Sequence, residues 1–117
     1  MRTLSTIVMA ACLLGGIACS GGSDEPPPCP DPTETTSVVM SDFAFGPSCL
    51  RVGRDATVSL DNEGATPHTF TLDDAEVNAD VPAGAKGSAD LTGVTPDTYT
   101  VICTYHPQMV AALTITS

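Results

Sequence analysis

A chain of 117 residues has room for one modest domain and not for two. With 4 Lys+Arg set against 14 Asp+Glu, the formal charge of −10 argues against nucleic acid, whose phosphates call for a basic face. A cationic partner suits it better.

Taken in chain order, the first residues read MRTLSTIVMAACLLGGIAC, with a positive Arg2, an apolar run from Leu4 to Ile17 and then small residues. This is the layout of a bacterial export signal over residues 1–18, and it is too short and too soon followed by polar chain for a membrane span. Cleavage before Cys19 would resemble lipoprotein processing, in which that cysteine is acylated and anchors the chain. Ala18 suits the position before it, whereas Gly16 stands where such sites usually have Leu. Release after Ala18 without lipid and retention as an anchor helix are the alternatives. Processing by either cleavage leaves the mature protein outside the cytoplasm, facing the periplasm or the cell exterior.

Residues 19–36 are Gly, Ser, Asp, Glu, Pro and Thr with almost nothing apolar, a composition that cannot bury enough surface to offset the entropy of ordering. It reads as a tether, whose seventeen or so residues at roughly 3 Å each would hold a domain up to about 50 Å from an anchoring lipid. An undocked tail with no role is the plainer alternative.

The remaining residues, 37–117, alternate with a period of two rather than with helical spacing. The stretches are SVVMSDFAF (Ser37 to Phe45), CLRV (Cys49 to Val52), ATVSLDN (Ala56 to Asn62), HTFTL (His68 to Leu72), GSADL (Gly87 to Leu91), DTYTVIC (Asp97 to Cys103) and VAALTIT (Val110 to Thr116). Turn clusters such as DNEGATP, VPAGAKG and GVTPD separate them. About seven strands and no convincing helix describe an all-β chain, a small β-sandwich.

The cysteines sort by position. Cys12 leaves with the signal, Cys19 is the lipidation candidate, and Cys103 stands in the stretch CTYHPQM together with His106 and Met109. Cys29 and Cys49 remain, and in an oxidising compartment two such thiols usually pair, stapling the end of the tether to the domain. Two free thiols are the alternative.

The only other histidine is His68, in TPHTF. Tyr99, Val101 and Cys103 share one face of a strand, so with Val101 in the core Cys103 points inward at that strand's end. By itself Met109 would be core filler and His68 a strand-end histidine. Together a thiolate, two imidazoles and a thioether form the donor set of a copper electron-transfer site, a His₂Cys plane with a long axial Met. A catalytic metal site keeps a position open for water or substrate, and this set fills all of its positions. The reading is therefore outer-sphere electron transfer and not an enzyme.

Over the span from Val38 to Ile115, the stretches FAFGP, VGRDATV, NEGATPH and CTYHPQM resemble the plastocyanin-like cupredoxins. The Cys-x₂-His-x₂-Met spacing is similar to the short loop of the amicyanins. The resemblance implies a cupredoxin-like Greek-key β-sandwich of about seven to eight strands. It also implies one copper ion cycling between Cu(I) and Cu(II), with His68, Cys103, His106 and Met109 as ligands. In the family the backbone N–H after the upstream histidine reaches the cysteine sulfur, which assigns that role to Thr69, where many relatives carry Asn. A hydroxyl contact between Thr69 and Thr104 would brace the loop in its place; two surface threonines on neighbouring strands are the alternative. Where amicyanins and plastocyanins often carry Pro, this chain has Tyr105, which keeps a backbone N–H available to the sulfur.

The partner implied is a c-type cytochrome, an oxidase or a dehydrogenase with a basic docking face, meeting a His106 edge ringed by Pro67, Tyr105, Pro107 and Gln108. A periplasmic copper-binding or delivery module, with Met40 as an extra soft ligand, is the alternative function. An exported thiol enzyme using Cys103 and His106 is a third, for which the sequence shows no oxyanion loop or orienting residue.

Overall fold

The computed structural model describes residues 25–117. The export signal and the Cys19 acylation site lie outside the described residues. The described residues hold ten strands, in chain order β1 (Thr33–Glu34), β2 (Ser37–Ser41), β3 (Ala44–Gly46), β4 (Cys49–Val52), β5 (Thr57–Asn62), β6 (His68–Leu72), β7 (Val77–Val81), β8 (Lys86–Asp90), β9 (Thr98–Cys103) and β10 (His106–Ile115). They form two sheets, one ordered β1-β4-β10-β9-β6-β7 and the other β3-β2-β5-β8.

The two-residue period shows directly in the burial. Val38 and Met40 of β2, Leu50 and Val52 of β4, and Val58, Leu60 and Asn62 of β5 turn inward while their neighbours are exposed or half-buried. Between the sheets the core closes around Phe70, Leu113, Ile115, Val101 and Leu91. Phe45 of the smaller sheet meets Phe70 of the larger edge-to-face at 6.0 Å. Burying each such side chain stabilises the fold by about 1.5–3 kcal/mol, so the sandwich rests mainly on this layer. Met40 is 0% exposed within it, which makes it core filler and not an added ligand on an open face.

Three features differ from the pattern of alternation. First, residues 37–45 form two antiparallel strands rather than one, because the chain reverses at Asp42 and Phe43, with Phe43 at φ 73. An Asp-Phe pair carries none of the glycine or asparagine that usually marks such a reversal. Second, β7 is a strand that alternation did not suggest. Its sequence VNADV is polar because it is an edge strand, paired only with β6. Third, ordered pairing reaches back before residue 37, since β1 lies parallel to β4 and Arg51 bonds Glu34 at 2.9 Å. The Cys29–Cys49 disulfide closes the same corner, with Cα atoms 5.5 Å apart.

Candidate metal centre

Three strand ends meet at one end of the sandwich. His68 opens β6 on the same inward face as Phe70, and Cys103 closes β9 on the face of Val101. His106 opens β10 and pairs with Cys103 across a turn made by Thr104 and Tyr105. The Cys103 sulfur lies 3.8 Å from His68 Nδ1 and 3.6 Å from His106 Nδ1. One donor atom from each of the three residues falls within 4.8 Å of the others. The β9–β10 register shifts between His106 and Val110, and this irregularity returns Met109 to the interior, where it is 1% exposed.

The donor separations suit a small metal ion. Bond lengths of about 2.3 Å to sulfur and about 2.0 Å to imidazole nitrogen, at tetrahedral to trigonal angles, put S and N about 3.5–3.8 Å apart. Cys103 is the free thiol among the described residues and is itself 1% exposed, so the sulfur is shielded from solvent.

The surroundings of the sulfur are built from threonines. Thr69 N–H donates to the Cys103 sulfur at 3.4 Å. The Thr69 hydroxyl accepts the Thr104 N–H at 2.9 Å and lies 2.9 Å from the Thr71 hydroxyl, which donates to Asn78 Oδ1 at 2.5 Å. Because Thr71 gives its only proton to Asn78, its oxygen must accept from Thr69, and the chain runs in one direction from the loop to β7. The Thr69–Thr104 hydroxyl contact is longer, at 3.4 Å. So the residue after Cys103 is braced chiefly through its amide. Among the described residues no hydrogen bond joins the Tyr105 amide to the sulfur. Its phenol instead donates to Asp80 Oδ2 at 2.7 Å, a bond that holds the phenol above its ordinary pKa of 10.0 and ties the loop to β7.

We expect Thr69→Val, which keeps the amide and the shape but removes the hydroxyl, to leave the Thr104 N–H without its acceptor and the Thr71 oxygen without its donor, Thr71 keeping only its bond to Asn78. Stability should fall by about 1–3 kcal/mol, read from chemical denaturation of the metal-free protein.

Sequence reasoning missed the residues that hold the upstream loop. Buried Asn62 receives the Gly64 N–H at 2.8 Å and donates to the carbonyls of Thr66 and Val81, each at 3.0 Å, which fixes the approach to His68. A lone Asn at a strand end looks like a turn residue; only its burial among carbonyls shows the role. Asp42 and Phe43 were also missed. Asp42 Oδ1 lies 3.5 Å from His68 Nε2, and the Phe43 ring meets the His106 ring edge-on at 4.9 Å.

A two-sheet β-sandwich that gathers a buried thiol and two imidazoles at one end defines a mononuclear metal-binding domain. The chain belongs to the cupredoxin-like domain family, which it matches over residues 7–115. No curated protein matches it in sequence. Among solved structures it is similar to the reduced Cu(I) form, at pH 4, of a point mutant of amicyanin, at 22% identity and a TM-score of 0.56, covering 68% of this chain and 79% of that one. It is similar to a novel purple cupredoxin from Nitrosopumilus maritimus, at 17% identity and a TM-score of 0.55, covering 68% of this chain and 98% of that one. A Cu-containing nitrite reductase from Thermus scotoductus SA-01 matches at 21% identity and a TM-score of 0.58, over 80% of this chain but only 25% of the reductase. The family and the His68, Cys103, His106 group support one copper ion as the cofactor.

Proposed function

We propose that this protein carries single electrons between exported redox partners through one copper ion held by His68 Nδ1, Cys103 Sγ, His106 Nδ1 and Met109. The observation that carries the reading is the convergence of two imidazoles on a free thiol that solvent does not reach. Copper, when bound, supplies a one-electron Cu(II)/Cu(I) couple.

The protein's part is to hold the donors still and dry. Soft sulfur suits Cu(I) while the imidazoles also suit Cu(II), so one cage serves both states. Strand ends and the threonine chain fix that cage, and little need rearrange on electron transfer. His106 is half-buried, and beside it lie Phe43 at 50% and Tyr105 at 48% exposure, with Pro67, Pro107 and Gln108 also exposed. This apolar rim gives a partner a short approach to a ligand edge. The net charge favours a basic docking face on that partner, such as a c-type cytochrome, an oxidase or a dehydrogenase.

The burial of Cys103 speaks against a thiol nucleophile, and the burial of Met40 against an open, methionine-rich delivery site. The signal-like start and Cys19 place the protein, in our reading, on the outer side of the membrane as a lipoprotein. No helix of the described residues is long and apolar enough to cross a membrane.

Adding Cu(II) to the purified metal-free protein should produce an intense blue thiolate-to-copper absorption at one equivalent. A colourless one-to-one complex would overturn the electron-transfer reading. Zinc accepts the same His and Cys donors, so the metal present after expression is not the test.

A further inference from the structure

His68 has two ring nitrogens, and only one faces the candidate copper position. The other, Nε2, is fully buried and makes no hydrogen bond, although a buried polar atom normally has a partner. With Nδ1 committed to a metal, the ring's proton must sit on Nε2, as an N–H pointing away from the site. What faces it is Asp42 Oδ1, 3.5 Å away.

The approach is specifically built. Asp42 stands in the tight reversal between β2 and β3, where the next residue, Phe43, adopts φ 73, a left-handed conformation that residues other than glycine rarely take. Asp42 Oδ1 also accepts the Ala65 N–H at 3.0 Å, which ties the reversal to the loop before His68. At Gly64 a Cβ would collide with Asp42 Oδ1 and sit 3.0 Å from His68 Nε2, so the glycine leaves the space through which carboxylate and imidazole meet. The same two-residue reversal touches both histidines, Asp42 at His68 and the Phe43 ring at His106.

We propose that Asp42 is a positioning residue for the metal site, the outer member of a carboxylate–histidine–copper series that sets the His68 tautomer and strengthens its Nδ1 as a donor. The inference rests on the copper reading above. Such outer partners orient the ring and raise its basicity, and removing one typically weakens metal binding by about 10–100-fold. The added donation favours Cu(II), the more highly charged state, over Cu(I). Asp42 needs only a shift of well under 1 Å to turn the 3.5 Å contact into a hydrogen bond, and its side chain, 40% exposed, has room to make it.

The test compares wild type, Asp42→Asn, Asp42→Ala and a charge control, Glu63→Gln, which removes one carboxylate from the exposed side of the neighbouring loop. In wild-type metal-free protein, ¹⁵N NMR of the His68 ring should show the Nε2–H tautomer, and in both Asp42 variants a mixture. In the copper-loaded proteins, each Asp42 variant should favour Cu(I) over Cu(II) by about tenfold more than wild type, an upward shift of about 59 mV for one electron. Glu63→Gln should change that ratio by less than about twofold, because solvent and salt screen its charge. Unchanged tautomer and potential in both Asp42 variants would overturn the proposal, and so would an equal shift in Glu63→Gln. Wild type that forms no blue complex would instead sink the copper reading itself, which separates the two failures.

Discussion

Cys103→Ser should abolish the blue absorption on Cu(II) addition, whereas Met109→Leu should keep a coloured site at an altered reduction potential. The colour belongs to charge transfer from a thiolate to copper, and serine offers a harder oxygen that does not ionise near neutral pH. The substitution is small at a position 1% exposed, so the fold should survive it and the loss should be chemical. Met109 stands differently. An axial thioether is a long, weak contact, and exchanging Met for Leu nearly conserves volume at a cost under about 1.5 kcal/mol. Absorption titration of the two metal-free variants checks both halves. A Met109→Leu protein that no longer held copper would contradict the axial assignment, and a coloured Cys103→Ser protein would contradict the assignment of the thiolate.

Replacing Cys29 and Cys49 together by Ala should lower stability by about 3 kcal/mol, the chain-entropy value for a loop of about twenty residues. For a domain of this size that corresponds to a fall in Tm of roughly 12–24 °C. The bridge joins the chain before β1 to β4, with a sequence separation of 20 between its cysteines. On its other side β4 pairs with β10, Cys49 lying opposite Ala112. Ala112 is about six residues along β10 from His106, or roughly 20 Å at strand rise, so the copper spectrum below the melting transition should not change. Calorimetry and absorption on the same sample give both readouts. A double variant that melts with wild type would show that β1 and its ion pair hold that corner without the bridge.

What the sequence by itself determined was local. Period-two alternation in SVVMS, TVSLDN and TYTVIC follows from strands buried on one face, and in TYTVIC it put Cys103 on the same face as Val101. The candidate donors His68, Cys103, His106 and Met109 were legible because the chain has only two histidines and one of them, His106, stands three residues from both Cys103 and Met109. The pairing of Cys29 with Cys49 followed from which thiols were left over, though the sequence kept two free thiols open and the structure closed the choice.

The tertiary structure decided whatever depends on contact between distant segments. Strand β7 is polar because an edge strand buries little, so no alternation could announce it. The chain from Thr104 through Thr69 and Thr71 to Asn78 exists only once β6, β7 and the β9–β10 loop lie side by side. Asp42 and His68 are 26 positions apart in sequence and are brought together from different sheets, and Gly64 matters only because both come to it. Ligand identity is written in residue chemistry, which a sequence displays. The orientation of each ligand is set by neighbours across the sandwich, which only packing can supply.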